Sequence, residues 1–166
     1  MEQNWKGHFS TGSRSSYPLL PVLSDHGKID KAYEIMSSEQ YPGLGHKLSF
    51  GTGTIGKIWA MPEAPPISSH CQTEGFTQMT TWFFKDLCGL RPDPAEPGFK
   101  HFYVNPKIPD KLKYAKMEYE SNYGLIRITW EKSDKDLHIN IDVPQIRVQQ
   151  FFSLLSGILN IIGIKM

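Results

Sequence analysis

The chain has 166 residues, enough for one modest core or parts of two. Its formal net charge is +1 with basic and acidic residues interspersed, which removes the electrostatic footprint expected of a nucleic-acid binder. Cys71 and Cys88 stand well apart without a paired motif, so neither a disulfide framework nor a zinc site is expected and both read as semi-buried free thiols.

In chain order, Met1-Glu2-Gln3-Asn4-Trp5-Lys6 is polar and carries no apolar signal-peptide core, which leaves the compartment open. Residues 17–23 are apolar enough for a buried helix, with Pro18 near its first turn, Pro21 expected to kink it and Gly27 to end it. Ile29, Ala32, Tyr33, Ile35 and Met36 recur at helical spacing, and Asp30 sits near the positive end that dipole logic favours for it. The two helices with their Gly turn predict a helical hairpin. Residues 41–54, rich in glycine, and 61–69, with Pro62, Pro65 and Pro66, read as loops. Long loops beside helices are where binding residues are often placed.

Phe76, Met79, Thr80, Phe83, Phe84 and Leu87 then recur at three- and four-residue spacing, the pattern of a helix burying one face, and Gly89 supplies a stop. In Cys88-Gly89-Leu90-Arg91-Pro92-Asp93-Pro94-Ala95-Glu96-Pro97-Gly98-Phe99-Lys100-His101 the prolines push their predecessors out of the helical region, so an extended, rigid connector is expected. Beyond it the period becomes two. Phe102 and Val104 oppose His101 and Tyr103, and Met117 and Tyr119 oppose Lys116 and Glu118. Ile126, Ile128 and Trp130 alternate with Arg127 and Thr129, as Leu137, Ile139, Ile141 and Val143 do with His138, Asn140 and Asp142. These are strands with one buried face, joined by turns at 122–124 and 133–136 into an antiparallel meander. Residues 151–164 are strongly apolar but fall short of the about 20 needed to span a membrane and are interrupted by Ser153, Ser156, Gly157 and Asn160. They read as an unselected tail and a local aggregation liability.

Trp82-Phe83-Phe84-Lys85-Asp86-Leu87, the proline-rich joint and Phe102-Tyr103-Val104-Asn105-Pro106 resemble, in order and spacing, the boundary between the helical catalytic barrel and the C-terminal β-domain of bacterial α-L-rhamnosidases. His8-Phe9-Ser10-Thr11-Gly12, Pro21-Val22-Leu23-Ser24-Asp25-His26-Gly27, Ala32-Tyr33-Glu34 and Tyr41-Pro42-Gly43-Leu44-Gly45 are similar to that family's final barrel segments. The resemblance runs from about residue 8 to about 144 and covers the tail end of a much larger enzyme. It implies an α+β chain: terminal helices of an (α/α) six-hairpin barrel followed by a truncated antiparallel β-sandwich. The implied organisation is barrel over 1–90, joint over 91–100, β-domain over 101–144 and tail over 145–166. The implied activity is inverting release of terminal α-L-rhamnose, with a rhamnose-containing glycan and the remainder of the parent enzyme as partners. No cofactor, nucleic acid or membrane partner is expected, and the dispersed histidines suggest no metal site.

Inverting glycoside hydrolysis needs two carboxyl groups, one protonating the leaving oxygen and one activating water on the opposite face. In the resembled family the acid lies upstream of anything in this chain, and the base is the glutamate of a Trp-Glu pair after a glycine-threonine loop. The matching stretch is Gly51-Thr52-Gly53-Thr54-Ile55-Gly56-Lys57, so Lys57 occupies the catalytic-base position. A charged ammonium there cannot accept the water's proton. A one-base change of frame accounts for this. Thr54-Ile55-Gly56-Lys57-Ile58-Trp59 can be encoded by ACN-ATT-GGG-AAA-ATA-TGG, and restoring a T before GGG gives Thr-Ile-Trp-Glu-Asn-Met. The stretch from Val143 to Phe152 is compatible with GTT-CCG-CAA-ATA-CGA-GTG-CAA-CAG-TTT-TTC, and one added G gives Val-Pro-Ala-Asn-Thr-Ser-Ala-Thr-Val-Phe, similar to the family's closing strand. The competing readings of Lys57 are a functional substitution in a non-hydrolytic relative and a solvated loop lysine. Glu63, on a proline-rich loop, reads as solvated rather than as a replacement base.

His70 resembles the family's sugar-contacting histidine, with an ordinary capping or loop role as the alternative. Trp59 is the second substrate-binding candidate, able to cover the apolar face of a pyranose unless it is itself a product of the frame change. Trp82 and Trp130 read as core. The competing function is a non-catalytic carbohydrate-binding or structural β-module in which Lys57 is genuine.

Overall fold

The computed structural model describes residues 18–41, 43–51, 79–144 and 164–165. The chain forms two compact units, Met1–Trp82 and Phe83–Met166.

In the first unit, α1 (Leu19–Asp25) begins after Pro18 and ends in a glycine turn. The Gly27 N–H donates to the Ser24 carbonyl at 3.2 Å and the Lys28 N–H to the Leu23 carbonyl at 2.7 Å, with Gly27 at φ 70°. This paired capping needs a left-handed residue, which glycine adopts without a Cβ penalty. Pro21 is the third helical residue. The expected cause of a kink is therefore absent, because first-turn N–H groups have no intrahelical acceptor to lose. Helix α2 (Ile29–Ser37) buries Ala32, Ile35 and Met36 and places Asp30 in its first turn, as the pattern implied. Residues 41–54 were expected as loop throughout, but α3 (Leu44–Ser49) forms inside them.

The helix expected to end at Gly89 is regular only over α4 (Met79–Trp82); Phe83–Leu87 continues as a π-helical turn. The Cys88 N–H reaches the Phe83 carbonyl at 2.9 Å, five residues back. A five-residue repeat rotates the face a helix presents. Trp82, Asp86, Leu87 and Cys88 are buried, whereas Phe83 and Phe84, expected on the buried face, are exposed.

The second unit is a two-sheet β structure around one core. Strand β1 (Leu90–Pro92) pairs antiparallel with β2 (Phe102–Val104), Leu90 opposite Val104. The joint is therefore not a simple extended connector. Its first residues form a strand, and residues 93–101 fold back through turns stabilised by Asp93, whose Oδ1 accepts the Ala95 N–H at 2.9 Å. Phe99 sits at φ 64°, costly for a residue with a Cβ, and its ring lies 4.5 Å from Tyr119 and 6.4 Å from Phe102. Packing holds it there.

The second sheet runs β3 (Tyr114–Ser121), β4 (Gly124–Lys132), β5 (Leu137–Asp142) and β6 (Ile164–Lys165). The first three meander antiparallel, with Met117 opposite Ile128 and Ile128 opposite Ile141. Strand β6 departs from the expected antiparallel pattern by pairing parallel to β5, Ile141 opposite Ile164. Apart from those two residues, the apolar tail lies outside the described residues. Inward-facing Ile126, Ile128, Trp130, Ile139 and Ile141 meet Leu90, Phe102 and Val104 of the small sheet in one buried cluster. The alternation read from the sequence is the alternation that builds this core. The Trp130 Nε1–H donates to the Leu87 carbonyl at 2.7 Å, tying the sheet to the end of the π turn.

Candidate functional site

Lys57, Trp59, Glu63 and His70 fall within residues 52–78 and lie outside the described residues. What is described is the glycine-rich segment that leads towards them in sequence. There the Ser38 carbonyl, just past α2, accepts the His46 N–H at 3.2 Å. A Cβ on Gly43 would collide with that same carbonyl, and one on Gly45 would come within 2.7 Å of it. The two glycines thus allow the start of α3 to lie directly on the end of α2. The His46 ring is set edge-on between Tyr41, at 5.7 Å between centroids, and Phe50, at 5.1 Å.

Trp82 is core, as its spacing implied. Its Nε1–H donates to Ser24 Oγ at 2.7 Å, and that hydroxyl donates to the Leu20 carbonyl at 2.8 Å. A buried indole N–H needs such an acceptor.

The second unit holds two polar clusters that sequence reasoning did not single out. Asp86, buried at the π turn, receives the Arg91 guanidinium at 2.7 Å and the Lys107 ammonium at 2.9 Å on one carboxylate oxygen. The Lys107 N–H also donates to the Asp86 carbonyl at 2.7 Å. An aspartate in the largely apolar Trp82–Leu87 run, followed by Arg91, was the available signal. The second cluster is centred on Asp93. Its Oδ2 lies 2.6 Å from His101 Nδ1 and accepts the Tyr103 hydroxyl at 3.1 Å. The Ala95 N–H, then His101 and Tyr103, hold the Asp93 carboxyl below its usual range, while the bond to Asp93 raises the Tyr103 phenol. A general acid for glycoside cleavage needs the opposite shift, a carboxyl kept protonated near neutrality. Asp93 is built to stay ionised and to hold the turn.

A shallow cleft of about 260 Å³ lies where Ile108 and Leu137 meet the 133–136 turn, and Lys132 on its rim is paired with Asp110 at 3.0 Å. Cys88 is buried, and desolvation pushes its thiol up to about 11, away from the nucleophilic thiolate. Cys71 lies outside the described residues. Among the described residues no group of three or more His, Cys, Asp or Glu side chains is placed to hold a metal ion, and no helix is long and apolar enough to cross a membrane.

Comparison with known proteins accounts for both units. Residues 1–87 match the bacterial α-L-rhamnosidase six-hairpin glycosidase domain, and residues 89–146 match the bacterial α-L-rhamnosidase C-terminal domain. An α-L-rhamnosidase of Formosa agariphila is 30% identical over 142 residues, which cover 83% of this chain and 15% of that protein. The α-L-rhamnosidase structure from Dictyoglumus thermophilum superposes with a TM-score of 0.73 at 27% identity, covering 84% of this chain and 16% of that one. The Streptomyces avermitilis α-L-rhamnosidase solved with L-rhamnose shares the fold with a TM-score of 0.65 at 23% identity, covering 79% of this chain and 13% of that one. The chain thus spans about 15% of the length of the relatives it matches. With one domain match running up to Leu87 and the next starting at Gly89, the chain belongs to the bacterial α-L-rhamnosidase family and carries the junction of its six-hairpin and C-terminal domains.

Proposed function

We propose that this chain is the C-terminal part of an inverting α-L-rhamnosidase acting on rhamnose-containing glycans, and that by itself it does not hydrolyse them. The observation that carries the reading is the pair of adjoining domain matches meeting at the helix-to-strand junction. In this reading the barrel part runs over 1–90, the joint over 91–100, the β-domain over 101–144, and the tail over 145–166 is out of frame. The C-terminal match stops at residue 146, next to the point where the codon argument locates the second frame change, which supports that assignment. Chemically, the reading follows from the two-carboxylate requirement. Lys57 stands at the base position and offers no acceptor while charged, and the acid belongs to the part of the enzyme upstream of this chain. His70 and Trp59 are proposed to contact the sugar, the histidine through a hydroxyl and the indole through the apolar face of the ring.

The test is to resequence the gene with its upstream region and to express both the chain as given and the frame-restored full-length enzyme. Cleavage of an aryl α-L-rhamnoside by the restored enzyme and none by the chain is the expected result. An inactive but folded restored enzyme that still binds L-rhamnose would favour the non-catalytic module. Codons at Gly56 and Gln145 incompatible with the restored peptides would remove the frame argument altogether.

A further inference from the structure

Among the described residues, one side-chain polar atom is buried without a hydrogen-bond partner: Nε2 of His46. Native structures satisfy nearly all such groups, because an unpaired buried donor or acceptor forfeits its hydration for nothing. The exception is not loose packing. The backbone of His46 is bonded to Ser38, and Gly43 and Gly45, which precede it, are pressed against the end of α2. The ring itself is pinned edge-on by Tyr41 and Phe50. The fold therefore fixes where this nitrogen points and leaves its bonding capacity unspent. Of the two rings beside it, Tyr41 is exposed at the surface.

We propose that His46 is a sugar-contacting residue, its Nε2 reserved for a hydroxyl of a bound pyranose whose apolar face lies against Tyr41. The chemistry fits this ligand class. A ring nitrogen either donates or accepts, as a hydroxyl also does, and an aromatic ring beside a polar anchor suits a molecule with an apolar face and hydroxyl rim. The position fits as well, since His46 lies on the same glycine-rich stretch that runs on to Lys57. This inference rests on the α-L-rhamnosidase reading above.

The experiment measures L-rhamnose affinity and rhamnoside kcat and KM for the frame-restored enzyme and its His46→Phe and His46→Gln variants, with thermal melts of the same substitutions in the chain as given. His46→Phe is expected to weaken L-rhamnose binding about tenfold or more, while the melting temperature of the chain stays level or rises because an unpaired polar atom is removed. His46→Gln, which keeps a hydrogen-bonding group, is expected to recover most of the affinity. An active restored enzyme whose affinity is indifferent to His46→Phe overturns the proposal and leaves the parent reading standing. A loss of affinity that only parallels a loss of melting temperature, without recovery by Gln, assigns His46 a structural role and also overturns it. A folded restored enzyme that neither binds L-rhamnose nor cleaves rhamnosides overturns both.

Discussion

At the scale of single residues, Gly89 and Asp93 decide the shape of the joint. Gly89 sits at φ 78°, and a Cβ there would collide with the backbone of Asn105 and Pro106. The left-handed backbone costs a residue with a Cβ about 1–2 kcal/mol. The collision is with main chain, which cannot swing aside, so Gly89→Ala is expected to destabilise the second unit by more than about 3 kcal/mol, measured by urea unfolding followed at Trp130. The sequence marked Gly89 as a helix stop but contained no sign of this close approach, which depends on residues far along the chain. Asp93 makes a separate prediction. Its carboxyl binds a proton less tightly folded than unfolded, so its ionised form favours the folded state. That contribution is complete above the unfolded value near about 3.9 and is lost as pH falls through the folded value. Tyr103 works in the other direction: its raised phenol contributes below about 10 and loses the contribution as pH rises through its folded value. The melting-temperature gap between the wild-type chain and Asp93→Asn should therefore be widest at intermediate pH and close in acid. A gap that persists unchanged in acid would show that the carboxylate's charge is irrelevant to the turn.

At the scale of elements, the strands were legible because each rule for them is local. Ile126, Ile128 and Trp130 alternate with polar neighbours, and two-residue or four-residue turns with Gly124 and Ser133 fix the register. The helix before the joint was legible in type but not in the face it buries. Phe83 and Phe84 obey the helical period, yet the π turn leaves them exposed and Asp86 buried, its charge met by Arg91 and Lys107. A π turn has no residue signature comparable to a proline or a glycine, so the period alone does not reveal it. Its geometry does explain why the Leu87 carbonyl points at the sheet, where the Trp130 indole finds it. Trp130→Phe removes that donor while keeping an aromatic ring in the core. The expected cost is about 1–3 kcal/mol, the range for leaving a buried acceptor unsatisfied, read from the urea midpoint. A neutral outcome would mean that the carbonyl finds another donor.

At the scale of the whole molecule, the two units differ in what holds them. The described helices of the first unit have 7, 9, 6 and 4 residues, each below the roughly 12–15 at which an isolated helix becomes marginal in water. They depend on tertiary packing, and the domain that residues 1–87 match is a six-hairpin glycosidase domain. The second unit closes its own cluster of buried residues, from Cys88 to Ile141, around two paired sheets. Family and fold class were legible here because short motifs are carried by the chain itself. The site was less so, since Lys57, Trp59 and His70 fall within residues 52–78, outside the described residues, and their roles rest on the motifs alone. The contrast in packing gives a measurable expectation for the chain as it stands. Native-state hydrogen exchange should protect the amides of β3, β4 and β5 to the full unfolding free energy, with Ile128, Trp130 and Ile141 among the slowest, whereas α1, α2 and α3 should exchange through local opening at much lower cost. Adding urea should shift the strand amides in step with the Trp130 transition and leave the helix amides nearly unaffected, because local opening exposes little new surface. Equal protection of helices and strands would mean that the barrel remnant is stabilised within this chain. That result would count against the proposal that the chain is a part awaiting the rest of its enzyme.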